Sequence, residues 1–200
     1  MALLTDLLSD NTTAISDNTT AIAETGGAWT LLSTITASGS SKVTFDSGID
    51  STYNRYVIIG SGIYGSSSAG FGAQLKIGGS WQSSGHYYQH IRQVIGSTGS
   101  SSYDSGVGNS GADRANNLTG NDVQTSASLP ANITLQIDTP SANAYHAIKY
   151  DGVTLVNNTA ARKSVGGTIS HSTQGVLTGI RFLLFYTNMY GSFSLYGINK

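Results

Sequence analysis

Asn132-Ile133-Thr134-Leu135-Gln136-Ile137-Asp138 is the stretch that indicates the fold most directly, because apolar and polar side chains alternate along it without interruption. Alternation with a period of two places the three apolar side chains on one face of a β-strand. Phe71 to Ile77 shows the same pattern, with Gln74 and Lys76 on its polar face. Both segments predict strands that bury one face and expose the other.

Further strand candidates follow at the spacing expected of a β-sandwich. They are Trp29 to Thr36, Lys42 to Phe45, Arg55 to Gly60, His86 to Ile95, Thr168 to His171, Gly179 to Thr187 and Gly191 to Ile198. Tyr145 to Tyr150 and Val153 to Val156 predict a hairpin, because Asp151-Gly152 between them is a turn signal. Gly96 to Asn117 carries almost no large apolar side chain and predicts a long loop.

About ten strands and no helix after residue 25 predict a mainly β chain. We expect residues 28–200 to form an antiparallel, jelly-roll-like β-sandwich head domain. Composition agrees, because only 10% of the residues are charged and 25 are glycine. So little charge is common in virion and secreted surface proteins and unusual in a cytosolic enzyme.

Charge, cysteine content and hydropathy each exclude a class of function. The net charge of −1 predicts no strong attraction to nucleic acid or to an anionic membrane. Cysteine is absent, which excludes disulfides, thiol catalysis and zinc sites built on cysteine. The opening Met1-Ala2-Leu3-Leu4 lacks the cationic region of a signal peptide, and no apolar run approaches about 18 residues. We therefore expect synthesis in a cytoplasm without signal-peptide export, and no membrane insertion.

The first 25 residues contain one heptad written twice, as Ser9 to Ile15 and Ser16 to Ile22. A strict apolar heptad indicates a left-handed supercoil. Ser, Asp, Asn and Thr are weak helix formers, so a segment this short should be helical only where partner copies bury the apolar seam. We therefore predict an oligomer whose core is formed by Leu4, Leu8, Asn11, Ile15, Asn18 and Ile22.

In this register Asn11 and Asn18 occupy d positions, and the repeat reads Ile-x-x-Asn-Thr. The pattern resembles the asparagine layers in the stalks of trimeric autotransporter adhesins and other trimeric fibres. The resemblance implies a homotrimeric coiled-coil stalk over residues 1–25, in which Asn11 and Asn18 amides converge on a chloride ion. Two alternatives stay open: a register with Thr5, Thr12 and Thr19 at a, or a disordered or surface-lying amphipathic tail.

Both ends of the predicted β domain carry a second resemblance. Trp29 to Ala37, Val43-Thr44-Phe45 and Ser47 to Tyr53 are similar to the opening of small bacteriophage virion or tail-fibre-like proteins, frequent in aquatic phages. Gly191 to Ile198 is similar to the Gly-x-aromatic-x-Leu-Tyr-Gly-Ile sequence with which those chains tend to close. The resemblance implies a phage surface role and brings no catalytic motif.

Metal sites are not favoured by the candidate ligands. His86 and His90 share one face of a predicted strand, but four residues span about 13 Å, too far for one metal ion. A polar strand face or an inter-subunit contact is expected instead, and on a three-fold axis one histidine from each copy could meet. Asn109 to Asp122 lacks the acidic spacing of a calcium loop.

No enzymatic site emerges, and we predict no catalytic residue. Most aspartates of the β domain adjoin Gly, Ser or Asn, the context of turns, and no pair stands out as the two carboxylates of a glycosidase. Gly60 to Gly65 fits Gly-x-Gly-x-x-Gly, but a strand rather than a helix follows it, which excludes a dinucleotide site. The aspartates concerned are Asp46, Asp50, Asp104, Asp113, Asp122, Asp138 and Asp151.

Aromatic side chains beside Gly- and Ser-rich segments are the strongest candidates for ligand contact. Tyr and Trp present large, rigid and half-polar surfaces that stack on sugars or anchor protein interfaces. The candidates are Tyr64, Trp81, Tyr87, Tyr88 and Tyr103. The alternative is that they fill the sandwich or the seam between subunits.

Together these observations predict a non-enzymatic homotrimer that projects from the surface of a phage virion and contacts other virion proteins. Two locations fit: a fibre or spike head for host attachment that binds host surface glycan, or a capsid decoration protein. A soluble lectin is a further alternative. Apart from the chloride ion, no cofactor is expected.

Overall fold

The computed structural model describes residues 29–95, 101–110, 130–138, 140–155 and 162–199, together with residues 118, 123, 125, 127 and 128. Residues 111–117 and 119–122, within the segment considered for calcium, lie outside the described residues. So do all residues of the predicted coiled coil and its chloride site: Leu4, Leu8, Asn11, Ile15, Asn18 and Ile22. The coiled coil therefore stays a prediction.

The described part of the chain forms twelve strands and contains no helix. All strand pairs are antiparallel, which confirms the predicted mainly β class. The strands are β1 (Trp29–Ser40), β2 (Lys42–Phe45), β3 (Arg55–Gly65), β4 (Phe71–Ile77), β5 (Ser80–Trp81), β6 (His86–Ile95), β7 (Ser101–Ser110), β8 (Ala131–Asp138), β9 (Ala147–Leu155), β10 (Arg162–His171), β11 (Leu177–Leu184) and β12 (Met189–Ile198).

Two sheets pack face to face. The large sheet has the strand order β1-β12-β3-β8-β9-β10-β6-β7, and the small sheet has the order β2-β11-β4-β5. Phe71 and Phe182 of the small sheet stack on Phe193 of the large sheet, with ring centroids 6.3 Å and 5.3 Å from that of Phe193. The three rings are fully buried, so they mark the centre of a β-sandwich core.

The core follows from the alternation seen in the sequence. On β8, Ile133, Leu135 and Ile137 are buried, whereas Asn132 and Thr134 between them are exposed. On β4, the alternate apolar side chains Phe71, Ala73, Leu75 and Ile77 are buried in the same core. The predicted buried faces of both strands are confirmed, and each larger apolar side chain removed from water adds about 1.5–3 kcal/mol. The exposed face predicted for β4 is wrong, because Gln74 is only 3% exposed and its amide is hydrogen-bonded to Arg181 and to the Gln82 carbonyl.

The predicted hairpin across Asp151-Gly152 is wrong. β9 runs through both residues as one strand and pairs with β8 and β10. A Cβ atom on Gly152 would lie 2.9 Å from the carbonyl oxygen of Asn132. Glycine at this position therefore permits the close approach of neighbouring strands. An Asp-Gly pair can serve this purpose or form a turn, and the sequence alone does not show which.

The predicted long loop over Gly96 to Asn117 is also wrong in part, because Ser101–Ser110 forms β7. This strand is the last one of the large sheet and pairs along its length with β6. Ladder hydrogen bonds come from the backbone, so a Ser- and Gly-rich segment can complete a sheet without large apolar side chains. Hydrophobic patterning does not detect such a strand.

Two histidines join the far end of the large sheet to the small sheet. His86 on β6 is buried, and its Nε2 accepts a hydrogen bond of 3.1 Å from the Leu75 N–H on β4. The His171 ring lies edge-on to that of His86, with centroids 4.6 Å apart. His171 Nδ1 accepts a hydrogen bond from the Thr173 N–H, and its Nε2 lies 2.5 Å from the Ser84 carbonyl oxygen.

His86 and His90 were predicted on a polar strand face or at an inter-subunit contact. Both are instead buried within one chain, because their side of β6 faces inward.

We expect His86→Phe to lower the free energy of unfolding by about 1–3 kcal/mol. His86 is buried, and its Nε2 accepts the Leu75 N–H. A phenyl ring fills most of the same space but cannot accept a hydrogen bond, so the Leu75 N–H would lose this acceptor.

Urea unfolding measures this loss. The matched variant is His86→Gln, whose amide oxygen can accept the Leu75 N–H, so it should lose less stability than His86→Phe. Equal losses in the two variants would contradict the expectation.

The turn between β11 and β12 is held rigidly against the loop after β3. Ser66 N–H donates to the Asn188 carbonyl at 2.9 Å, and Ser67 N–H donates to Thr187 Oγ1 at 2.9 Å. Tyr186 in this turn has a φ of 61° and is 99% exposed. A tyrosine in the left-handed region costs about 1–2 kcal/mol, so the fixed loops around it must offset that strain.

Candidate functional site

A groove of about 550 Å³ lies on the outer face of the large sheet. It crosses β3, β8, β9 and β10, whose inner faces cover the core. Its outward side chains are Ile59, Ser61, Asn132, Thr134, Asp151, Val153 and Ser164, and Gly166 adds backbone to the lining. The surface is concave here because most of these side chains are short.

Two polar side chains of this groove have partners. Asn132 Oδ1 accepts a hydrogen bond of 3.1 Å from the Gly62 N–H, at the point where the β3–β8 register shifts. Asp151 Oδ2 lies 3.4 Å from Lys149 Nζ on the same strand. Ile59 and Val153 supply apolar surface beside them. The groove therefore offers hydroxyl, amide and carboxylate groups around two aliphatic patches.

A second groove of about 240 Å³ continues from the first, because both are lined by Thr134 and Asp151. Trp29 lies in its lining, with its ring centroid 5.5 Å from that of Tyr196 and the ring planes at 60°. Trp29 is 52% exposed, so much of its ring is available to a ligand. An indole beside polar side chains is a typical platform for a sugar ring.

An ion pair lies at the end of the second groove. Arg55 Nε donates to Asp138 Oδ1 at 2.5 Å, between directly opposed residues of β3 and β8. Partial burial alone would raise the pKa of the Asp138 carboxyl, but hydrogen bonds from Arg55 and Gln136 outweigh it and hold the pKa below its ordinary value. With the Lys149–Asp151 pair, the grooves carry matched positive and negative charges. Their surface suits a neutral polar ligand.

Catalytic chemistry finds little support in this lining. Asp151 is the single carboxylate among the described residues that line the two grooves. Glycoside hydrolysis ordinarily requires two.

The five aromatic candidates from the sequence do not form one site, and none of them lines the grooves. Tyr64 stacks on Tyr190 with ring centroids 4.8 Å apart. Trp81 lies on the outer face of the small sheet, and Tyr87 is exposed on β6. Tyr88 points inward against the core. Tyr103 belongs to β7.

Sequence reasoning missed the groove residues Trp29, Asn132, Thr134 and Asp151. The alternation of Asn132 to Asp138 does place its polar side chains on the outer face, so part of the signal was present. The sequence does not reveal the strand order β3-β8-β9-β10, which brings residues that are far apart in the chain onto one surface.

Metal and membrane criteria add two findings. The described residues contain no group of three or more His, Cys, Asp or Glu side chains placed to hold a metal ion. Nor do they include any helix with the length and apolar character needed to cross a bilayer.

Comparison with known proteins gives one weak structural neighbour. No protein-family model matches the chain, and no curated protein matches it. A chain in the structure of infectious bursal disease virus Gt strain aligns at 11% identity with a TM-score of 0.10. The alignment covers 86% of this chain and 42% of that one. A TM-score this low does not establish a shared fold.

Proposed function

We propose that the chain is a non-enzymatic structural protein of the bacteriophage virion surface, assembled as a homotrimer, and that it binds host surface glycan. The observation that carries the glycan proposal is the continuous groove on the outer face of the large sheet. It combines amide, hydroxyl and carboxylate groups with the exposed indole of Trp29. Sugars are recognised through such a mixture of hydrogen-bonding groups and one stacking surface.

The strand order supports a jelly-roll interpretation of the sandwich. When β1, β2, β3, β4, β5, β8, β11 and β12 are numbered consecutively along the chain, the sheets read 1-8-3-6 and 2-7-4-5. That order consists of two interlocked Greek keys, the arrangement of viral capsid and lectin domains. The remaining strands β9, β10, β6 and β7 extend the first sheet and build half of the groove. Fold alone does not fix function, so the groove remains the main argument.

The predicted coiled-coil stalk would join three heads, so that one particle-bound trimer carries three glycan-binding grooves. Three weak glycan contacts that are joined by a coiled coil act together, because the second and third binding events become intramolecular. The heptads before Trp29 and the surface-protein resemblance of the β domain both support this arrangement.

Capsid decoration is the second candidate, favoured by apolar side chains on the outside of the large sheet. Leu31 is 56% exposed and lies two residues after Trp29, which is 52% exposed, on the same face of β1. Exposed apolar patches of this kind often mark protein interfaces. Imaging of the particle with a label on this chain would separate a tail fibre, a spike and a capsid protein, and would also identify a soluble lectin that is not part of a particle.

We expect Thr134→Arg to weaken glycan binding by about tenfold or more, because the long side chain would fill the point shared by both grooves. An array of neutral and acidic oligosaccharides identifies a ligand, and calorimetry measures its affinity. The matched control is Thr168→Arg, which makes the same change on β10 outside the two linings. Equal affinities for the two variants and the wild type would assign glycan binding elsewhere.

We expect deletion of residues 1–25 to convert trimers into monomers, because the predicted apolar seam would be lost. Sedimentation velocity measures the mass of the full chain and of the truncated head. Asn11→Leu with Asn18→Leu is the matched variant: it should keep the coiled coil while removing the amides predicted to hold chloride. A truncated head that remains fully trimeric would contradict the stalk's role and leave the groove proposal standing.

A further inference from the structure

The outer face of the small sheet carries a preformed cluster of one indole and two cations. Arg181 Cζ lies 4.6 Å from the centre of the Trp81 ring, and Lys76 Nζ lies 5.9 Å from it. Trp81 and Lys76 are directly opposed residues of β5 and β4. This face looks away from the core, on the opposite side of the sandwich from the grooves.

A buried amide fixes the orientation of Arg181. Gln74 is only 3% exposed, and its Oε1 accepts a hydrogen bond from Arg181 Nε. Its Nε2 donates to the Gln82 carbonyl, and Gln82 is itself held by hydrogen bonds from its Nε2 to the carbonyls of Ile77 at 3.1 Å and Ser80 at 2.9 Å. The guanidinium is therefore bound through Nε and pressed on the indole. Among the described residues, none accepts a hydrogen bond from either Nη.

The charge of this face is positive. Lys42, Lys76 and Arg181 lie on it, and Asp46 is the carboxylate that pairs with Lys76. The grooves on the other face hold balanced ion pairs instead. An anionic ligand is therefore complementary to the small sheet and not to the large one.

We propose that Arg181, Trp81 and Lys76 form a second binding site, which takes the carboxylate of an acidic sugar. The two Nη groups of an arginine match the two oxygens of a carboxylate, and an arginine already fixed through Nε loses less freedom on binding. A hexuronic acid carries its carboxylate directly on the sugar ring, so a carboxylate bound at Arg181 brings that ring beside the indole. Sugar rings pack well on such aromatic surfaces. This site is independent of the glycan groove proposed above.

Indole fluorescence can follow the site selectively, because the chain has two tryptophans and Trp29→Phe leaves Trp81 as the reporter. The probes are galacturonic acid trisaccharide and its methyl ester, in which the same sugar rings carry no charge. We expect the acid to shift Trp81 emission and to bind at least about tenfold more tightly than the ester. This comparison needs no change at the site itself.

Substitutions then test whether Arg181 is the residue that binds the carboxylate. Arg181→Lys keeps the charge but removes the fork, and we expect it to weaken binding of the acid by about tenfold. Arg162→Lys, the same change at the start of β10 in the large sheet, should leave binding unchanged, and thermal unfolding checks that both variants are folded. Equal binding of acid and ester, no binding of the acid, or wild-type affinity in Arg181→Lys would overturn the proposal. Tighter binding of a glutamate hexapeptide would also overturn it, by assigning the site to acidic proteins.

Discussion

Gly167→Ala is expected to destabilise the chain by about 3 kcal/mol or more, an effect at the upper end of those caused by overpacking. A Cβ atom on Gly167 would overlap the carbonyl oxygen of Gln89 on the neighbouring strand β6. It would also lie 2.7 Å from Tyr150 Oη, which donates to that same carbonyl at 3.4 Å. Tyr150 is fully buried, and burial raises the pKa of its phenol, so the hydroxyl stays neutral and depends on this acceptor. Strand separation and a lost buried hydrogen bond therefore act together.

The neighbouring glycine provides the control. A Cβ atom on Gly166 would meet the end of the Asp151 side chain at 3.0 Å, and that side chain can move. Gly166→Ala should therefore cost less than about 1 kcal/mol in urea unfolding, against the large loss in Gly167→Ala. Tyr150→Phe in the Gly167→Ala background removes the hydroxyl overlap but not the overlap with the carbonyl. Full recovery of stability in that double variant would show that the backbone clash is not the cause.

Phe193→Ala is expected to cost about 3–5 kcal/mol, the range measured for truncation of buried aromatic residues. Phe193 is the large-sheet member of the three-ring stack, and both of its ring partners belong to the small sheet. Gly60 has no side chain at the point where a Cβ atom would lie 2.9 Å from Phe193 Cε1, so the backbone of β3 closes over the ring. Such a site cannot collapse easily to fill a cavity.

Urea unfolding of Phe193→Ala and Phe193→Leu measures the cavity directly, since leucine retains much of the lost volume. Leu31→Ala is the surface control, because Leu31 is largely exposed and its truncation should change the free energy of unfolding by no more than about 0.5 kcal/mol. Equal losses in Phe193→Ala and Leu31→Ala would contradict the central role of the ring stack.

Strands that depend on local side-chain patterns can be predicted from the sequence. β2, β4 and β6 have the bounds that the sequence predicts, since turn residues punctuate an alternating or apolar run in each. Glycine was less informative. Gly152 stands inside β9, yet the Asp151-Gly152 pair indicates a turn until the neighbouring strands are known.

Contacts between distant strands could not be foreseen. The His86–Leu75 hydrogen bond links β6 to β4, although spacing alone placed His86 on a polar face. The groove depends on four strands whose order comes from topology. Trp81 was singled out as an isolated aromatic residue, and only the pairing of β4 with β5 and β11 brings Lys76 and Arg181 to it. Local pattern thus predicts which side chains point outward, and long-range pairing decides which of them meet.

The pairing of β1 with β12 along their full length places the start of β1 and the end of β12 at the same end of the sandwich. Trp29 at the start of β1 lies opposite Ile198 at the end of β12, whereas Ser40 lies opposite Met189. The chain therefore enters and leaves the sandwich at one pole, and the turn with Tyr186 lies at the other, about 30 Å away along the strands. A head tethered through the residues before Trp29 would hold this exposed tyrosine at the end of the sandwich far from the tether.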